Sequence, residues 1–189
     1  CLVLDLEVDS QHAQILQIGT LSYLGKHCQN RQQYKSPFAL QAAALAHDFV
    51  LGHNLFAHDL RILHQLEQPF FKHNPHFIDT LYLSAWLFAE YPYHHLVKDY
   101  HLSPHLPPDP VKDAEKCWQV FEDALARYLE WPTAKQTLYF CLLSEQPAFS
   151  GFFRYLEAVG KTSGQASSTL DSETLIRQHF HGRICQHQA

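Results

Sequence analysis

Two acidic residues interrupt an apolar stretch at the start of the chain. The sequence CLVLDLEVDS places Asp5 and Glu7 two residues apart among leucines and valines, a pattern typical of a short buried strand. Side chains two apart on a strand point to the same face, so the two carboxylates should lie side by side. Such a pair does not ionise readily without a cation, and its oxygen atoms suit Mg²⁺ or Mn²⁺. The alternative is an exposed strand face on which both acids are solvated.

A second candidate group lies in the stretch VLGHNLFAHDLRIL. Asn54 and Asp59 fall between the end of a short apolar strand and the start of a helix. From there a carboxylate can point back over the edge of the sheet. An aspartate in the first turn of a helix is also favoured by the helix dipole, so a purely structural role is the alternative.

A third acid opens a long helix in the stretch DPVKDAEKCW. Asp113 falls in or near the first turn, and the small Ala114 after it would permit close packing. The dipole preference of first turns for acidic residues is again the alternative.

The periodicity along the chain predicts the elements that must position these acids. Strands are predicted at 1–7, 13–24, 27–36, 49–54 and 76–80, the third being polar and therefore an edge strand. Helices are predicted at 36–48, with Ser36 as N-cap and Pro37 in the first position, and at 57–68, 81–91, 93–102 and 109–130, with more helix beyond Trp131. This order predicts an α/β fold: a ribonuclease-H-like mixed five-stranded sheet with helices on both faces.

Composition limits the class of protein. A chain of 189 residues that is 46% apolar and 17% charged can bury one sizeable core, which argues against disorder. The net charge of −5 argues against bulk electrostatic attraction to nucleic acid or anionic lipid, although contacts to phosphate through metal ions stay compatible with it.

The small-residue stretch KTSGQASST at 161–169 predicts a linker. We therefore expect one domain at 1–160, with a helical extension at its C-terminal end, and a linker and the start of a following module at 161–189. The chain has no methionine and begins within a predicted strand, so we expect a segment of a longer protein.

The cysteines and the lengths of the apolar runs indicate in which cellular compartment the protein is expected. Five cysteines, an odd number without CxxC spacing, predict reduced thiols and a cytoplasmic protein. No apolar run reaches the roughly 18 residues of a membrane span, so no membrane partner is expected.

Together, these acids follow the order of one known set of motifs. The chain resembles the DEDD 3′→5′ exonucleases, the DnaQ-like proofreading and trimming family, over about residues 1–130. The matching residues are Asp5 and Glu7 in the first motif, His53, Asn54 and Asp59 in the second, Asp113 in the third, and Asp79 in the Asp-Thr that commonly precedes the third.

The resemblance implies a function. Asp5, Glu7, Asp59 and Asp113 would hold two Mg²⁺ or Mn²⁺ ions for hydrolysis of the terminal phosphodiester at single-stranded DNA or RNA 3′ ends. It also implies substrate-binding positions, at Val8, His53, Asn54 and Phe56. Phe56 would stack on or wedge against a base, with a place in the core as its alternative.

The chain departs from the family at the general base. The positions that carry this histidine or tyrosine hold Pro108 and Asp109, which leaves His105 as a substitute. Val8 also replaces the usual threonine of the first motif. The alternative function is therefore a catalytically degenerate exonuclease fold that binds single-stranded ends or docks against a partner domain.

A narrower resemblance concerns FVLGHNLFAHDLRIL, PYHHLVKDYHL and the tail FHGRIC. These stretches are similar to the exonuclease-type domain at the start of some bacterial RecQ-like helicases. This resemblance implies an ATP-driven helicase motor in the same polypeptide, beyond the linker.

Overall fold

The computed structural model of the protein describes residues 1–9, 14–65, 71, 74–96, 108–161 and 172–181. Its sheet comprises β1 (Leu2–Asp9), β2 (Gln14–Leu24), β3 (His27–Tyr34), β4 (Phe49–Gly52) and β5 (His76–Asp79), in the order β3-β2-β1-β4-β5. β1 is antiparallel to β2 and parallel to β4; β3 is antiparallel to β2, and β5 is parallel to β4. The predicted mixed five-stranded sheet of ribonuclease-H-like arrangement is confirmed, with the polar β3 at its edge.

The helices of the described residues are α1 (Pro37–Ala44), α2 (Asp59–Leu63), α3 (Thr80–Leu87), α4 (Pro110–Leu129), α5 (Thr133–Leu143), α6 (Pro147–Ala158) and α7 (Ser172–His179). Ser36 is the N-cap of α1 and Pro37 its first residue, as predicted, although the Ser36 hydroxyl makes no capping hydrogen bond.

Three helices are shorter than their sequence patterns predicted. α1 ends at Ala44 and not at 48. α2 begins only at Asp59, because turns that follow the left-handed backbone of Asn54 (φ 59°) occupy 55–58. α3 ends at Leu87, where Phe88 leaves the helical conformation. Residues 93–96 have no regular structure, contrary to the helix predicted at 93–102. Residues 66–68 and 97–102, which belonged to these predicted helices, lie outside the described residues.

The alternation of β1 divides the core between two faces of the sheet. Its leucines pack on one side with α1 and α2, together with Ile18 and Val50. Val3 packs on the other side with α3, α4 and α6, together with Leu21, Leu51 and Ile78. Helices therefore cover both faces, and Asp5 and Glu7, in the same alternation as Val3, belong to the α4 side.

The C-terminal helices extend this arrangement. α6 packs on β5, and α7 lies against α5. The predicted linker residues 162–169 lie outside the described residues, so the predicted division at 161 stays a prediction. No helix within the described part of the chain is both long and apolar enough to cross a bilayer.

Candidate metal centre

The structure brings three of the four predicted acids together. Asp5, Glu7 and Asp113 each offer a carboxylate oxygen, and these oxygens all lie within 4.8 Å of one another. Asp5 is 7% exposed and Asp113 is 3% exposed, while Glu7 is half-buried. We call these three residues the carboxylate group. It joins the middle of β1 to the first turn of α4.

A glycine in β2 allows α4 to approach β1 this closely. Gly19 pairs with Asp5 across the two strands, and a Cβ added to Gly19 would overlap the backbone of Pro110 and Val111 at the start of α4. Ala114, whose small size would permit close packing, is fully buried. Gly19 was not among the residues predicted from the sequence to position the site, although an isolated glycine within a strand pattern is a known signal of close backbone approach.

A β-bulge lies beside the carboxylate group. Glu7 pairs with Gln17 but Val8 pairs with Ile15, so Leu16 is the extra residue of β2. Bulges bend a strand and change where its side chains point. Val8, a predicted substrate-binding residue, is half-buried and packs against the apolar cluster on the α1 and α2 side.

Asp59 lies next to β1 but is not a member of the carboxylate group. Its Oδ1 accepts a hydrogen bond from the Leu6 N–H at 3.1 Å, and the residue is 2% exposed. The parallel pairing with β4 covers only Leu2 and Val3 of β1. Asp59 therefore satisfies a backbone group beyond the end of that pairing.

Burial and a neighbouring histidine have opposite effects on the pKa of the Asp59 carboxyl. Burial raises the pKa of the Asp59 carboxyl, whereas His58, with Nδ1 3.6 Å from Oδ1, lowers this pKa. Asp59 is thus outside the group of three oxygens that lie within 4.8 Å of one another, and its predicted part in holding a metal ion stays a prediction.

Asp79 fastens the loop that carries the second motif. Its carboxylate accepts hydrogen bonds from the backbone N–H groups of Asn54 at 2.9 Å, Phe56 at 3.0 Å and Leu81 at 3.0 Å. The last of these caps the N-terminus of α3. Asparagine tolerates the left-handed backbone that Asn54 adopts here. Asp79 therefore joins β5, α3 and the β4–α2 loop, a role that was not predicted from the sequence.

His53 takes part in a hydrogen-bond network around the buried Thr80 hydroxyl. Its Nδ1 lies 2.9 Å from the Thr80 hydroxyl, which in turn lies 3.3 Å from the Gly52 carbonyl and 3.4 Å from the Cys117 Sγ. Cys117 is on α4, one turn after Asp113, and burial raises the pKa of its thiol. This hydrogen-bond network connects the β4–α2 loop to α4, the helix that supplies Asp113.

The Phe56 ring packs against other side chains and does not form an open surface on which a base could stack. Its ring is half-buried, packs against the apolar cluster on the α1 and α2 side, and lies edge-on to Tyr82 with 6.1 Å between ring centroids. The packing favours the core role over the predicted base-stacking role, which stays a prediction.

The two positions at which the DEDD exonucleases carry a histidine or tyrosine as general base hold neither residue in this protein. Pro108 is exposed, and the Asp109 carboxylate accepts the Lys112 N–H at 3.2 Å as the N-cap of α4. The predicted substitute base, His105, lies outside the described residues.

A lysine lies close to the carboxylate group. Lys116 Nζ is 3.8 Å from Asp113 Oδ1.

The carboxylate group fits a hard divalent cation. Mg²⁺ binds oxygen ligands at about 2.0–2.1 Å, so oxygens that share one ion lie up to about 4.2 Å apart. The oxygens of the carboxylate group all lie within 4.8 Å of one another, which is close to that separation. Two of the three acids are nearly inaccessible to water, which makes their mutual repulsion costly unless a cation offsets it.

Comparison with protein-family models, with curated proteins and with solved structures gave no match. The fold and the site geometry therefore carry the functional argument, together with the motif resemblance.

Proposed function

We propose that this chain is a metal-dependent 3′→5′ exonuclease domain that removes nucleotides from single-stranded 3′ ends of DNA or RNA. The observation that carries the proposal is the carboxylate group, in which β1 and α4 present three oxygens within 4.8 Å at one point. The ribonuclease-H-like strand order supports it. The direction of cleavage and the class of substrate come from the motif resemblance.

Each acid has a distinct task in this proposal. Asp5, Glu7 and Asp113 hold the Mg²⁺ or Mn²⁺ ions, and Asp59 fixes the end of β1 through the Leu6 N–H. When bound, divalent cations supply Lewis-acid stabilisation of the phosphate charge and acidify the attacking water. The protein's acids offset the charge of the cations, so a chain with a net charge of −5 can still act on a polyanion.

Our first prediction tests this activity with an end-labelled single strand. The wild-type chain should shorten the strand from its 3′ end with Mg²⁺ or Mn²⁺, and chelation should stop the reaction. Asp5→Asn should lower the rate by on the order of a hundredfold, since it removes charge from the centre of the site. Asp123→Asn is the matched control, because Asp123 is an exposed acid on α4 outside the carboxylate group. Equal rates for both variants and the wild type would identify the cleavage as a contaminant.

A second candidate function is a degenerate exonuclease fold that binds single-stranded ends without cleaving them. It is favoured by Pro108 and by Asp109, whose carboxylate caps α4. Fluorescence anisotropy with the same strand separates the two candidates. Binding without cleavage in either metal supports the second, whereas metal-dependent shortening eliminates it.

Two further proposals concern the setting of the domain. The first is a helicase motor in the same polypeptide, supported by the narrower motif resemblance. The absence of ATPase activity from the longest polypeptide that contains this chain would contradict it. The second is a cytoplasmic location, supported by the free thiols of Cys1, Cys28, Cys117 and Cys141. Disulfides in protein isolated from cells under alkylating conditions would contradict it.

A further inference from the structure

Lys116 lies at the rim of the carboxylate group. It follows Asp113 by three residues on α4, which places both side chains on one face of the helix. Its Nζ is 3.8 Å from Asp113 Oδ1, and its side chain is 28% exposed against 4% for that of Asp113. The Lys116 side chain is therefore partly withdrawn from water, and its ammonium group lies beside an acid that is almost fully buried.

We propose that Lys116 is the built-in counter-ion of the carboxylate group and that a divalent cation must compete with it. The proposal rests on the proposed metal-dependent function and concerns how strongly that site binds its metal. Three carboxylates whose oxygens lie within 4.8 Å of one another repel one another, and a nearby ammonium group offsets part of their charge. The same positive charge repels an arriving divalent cation.

The chemistry of lysine suits this task. Its ammonium group is a compact charge on a flexible four-carbon stem. It can thus swing toward solvent when a cation arrives, without a change in the backbone of α4. An arginine would keep the charge while holding it in a planar group on a three-carbon stem.

Other ion pairs near the start of α4 differ in their surroundings. Lys112 Nζ lies 3.9 Å from Asp109 Oδ2, but these side chains are 61% and 44% exposed. Arg31 pairs with Glu115, and the Arg31 side chain is 61% exposed. Exposed pairs contribute little to stability, and neither pair includes a member of the carboxylate group. Lys112 is therefore a matched control with the same charge, on the same helix and one turn from Lys116.

The test measures Mn²⁺ binding by isothermal titration calorimetry. Lys116→Gln and Lys116→Met should each tighten Mn²⁺ binding by about tenfold, or ~1.4 kcal/mol, because the competing charge is gone. Lys116→Arg and Lys112→Gln should stay within about twofold of the wild type. The methionine variant retains most of the apolar stem of Lys116, whereas the glutamine variant ends in a polar amide. A difference in Mn²⁺ affinity between the two variants would therefore indicate an effect of side-chain packing and not of charge.

A second readout is thermal unfolding without metal. Lys116→Gln should lower the midpoint relative to Lys112→Gln, and saturating Mn²⁺ should remove that difference. Unchanged or weaker Mn²⁺ binding in both neutral variants would overturn the role of Lys116 and leave the metal site intact. A wild-type chain that binds no Mn²⁺ and cleaves no strand would instead overturn the proposed exonuclease function, and the role of Lys116 with it.

Discussion

At the scale of single residues, the acids of this chain have different tasks although they occur in similar contexts. Asp5 and Asp113 converge with Glu7, whereas Asp59 accepts a backbone N–H of β1. Asp79 accepts three backbone N–H groups and thereby fixes the loop that precedes α2. Burial raises the pKa of the Asp79 carboxyl, and the three N–H donors lower it.

We predict that Asp79→Ala lowers the free energy of unfolding by about 3 kcal/mol. Loss of a helix cap costs about 1 kcal/mol, and N–H groups left without an acceptor cost about 1–3 kcal/mol when buried. Urea denaturation measures the effect. Asp109→Ala is the control, because this N-cap of α4 accepts one N–H and its carboxylate is far more exposed; it should lose only about 1 kcal/mol. Equal losses would show that the contacts of Asp79 to the loop contribute nothing.

The sequence could predict only part of this division of tasks. The shared face of Asp5 and Glu7 follows from strand alternation, which is local. The bond from Leu6 to Asp59 depends on where β4 stops pairing with β1, and no local pattern specifies that point. The left-handed turn at Asn54 likewise depends on the carboxylate of Asp79, which is 25 residues away.

At the scale of secondary-structure elements, the contact between β2 and α4 determines whether Asp113 reaches Asp5. Amphipathic periodicity predicted the whole of α4, and Ala114 indicated a close contact. What the helix approaches could not be predicted, because Gly19 lies about 90 residues earlier and its role appears only in the folded pairing. The ends of α2 and α3 were predicted wrongly for a related reason, since tertiary contacts and turns override helical spacing there.

We predict that Gly19→Ala weakens Mn²⁺ binding by at least about tenfold, because α4 must shift and carry Asp113 away from Asp5. Calorimetric titration measures this effect. Gly151→Ala is the matched control: its added Cβ would overlap the Phe77 backbone, where α6 packs on β5. Both changes should destabilise the fold by about 1–3 kcal/mol, but the control should keep its Mn²⁺ affinity. A similar loss of affinity in both variants would mean that general destabilisation, and not the position of α4, is responsible.

At the scale of the whole molecule, the sheet and the helices next to it contain the buried core. Two apolar clusters cover opposite faces of the sheet, and the last fully packed residues along the described chain belong to α6. The described side chains of α7 are half-buried or exposed, although this helix lies against α5. This distribution agrees with the division predicted from the small-residue stretch at 161–169 but does not test it.

Our last prediction is that a chain ending at Lys161 folds as well as the full chain and binds Mn²⁺ equally. The deletion removes α7, and none of the side chains that the structure describes in this helix belongs to either apolar cluster or to the carboxylate group. The contact with α5 should therefore contribute no more than about 1 kcal/mol to the free energy of unfolding. Urea denaturation and Mn²⁺ calorimetry on the two chains measure both quantities. As a control, a chain ending at Ser144 lacks α6 and should fail to fold, because it loses Phe152, Phe153 and Leu156 from the core. Unfolding of the chain that ends at Lys161 would place the C-terminal residues within the same cooperative domain and move the boundary beyond α7.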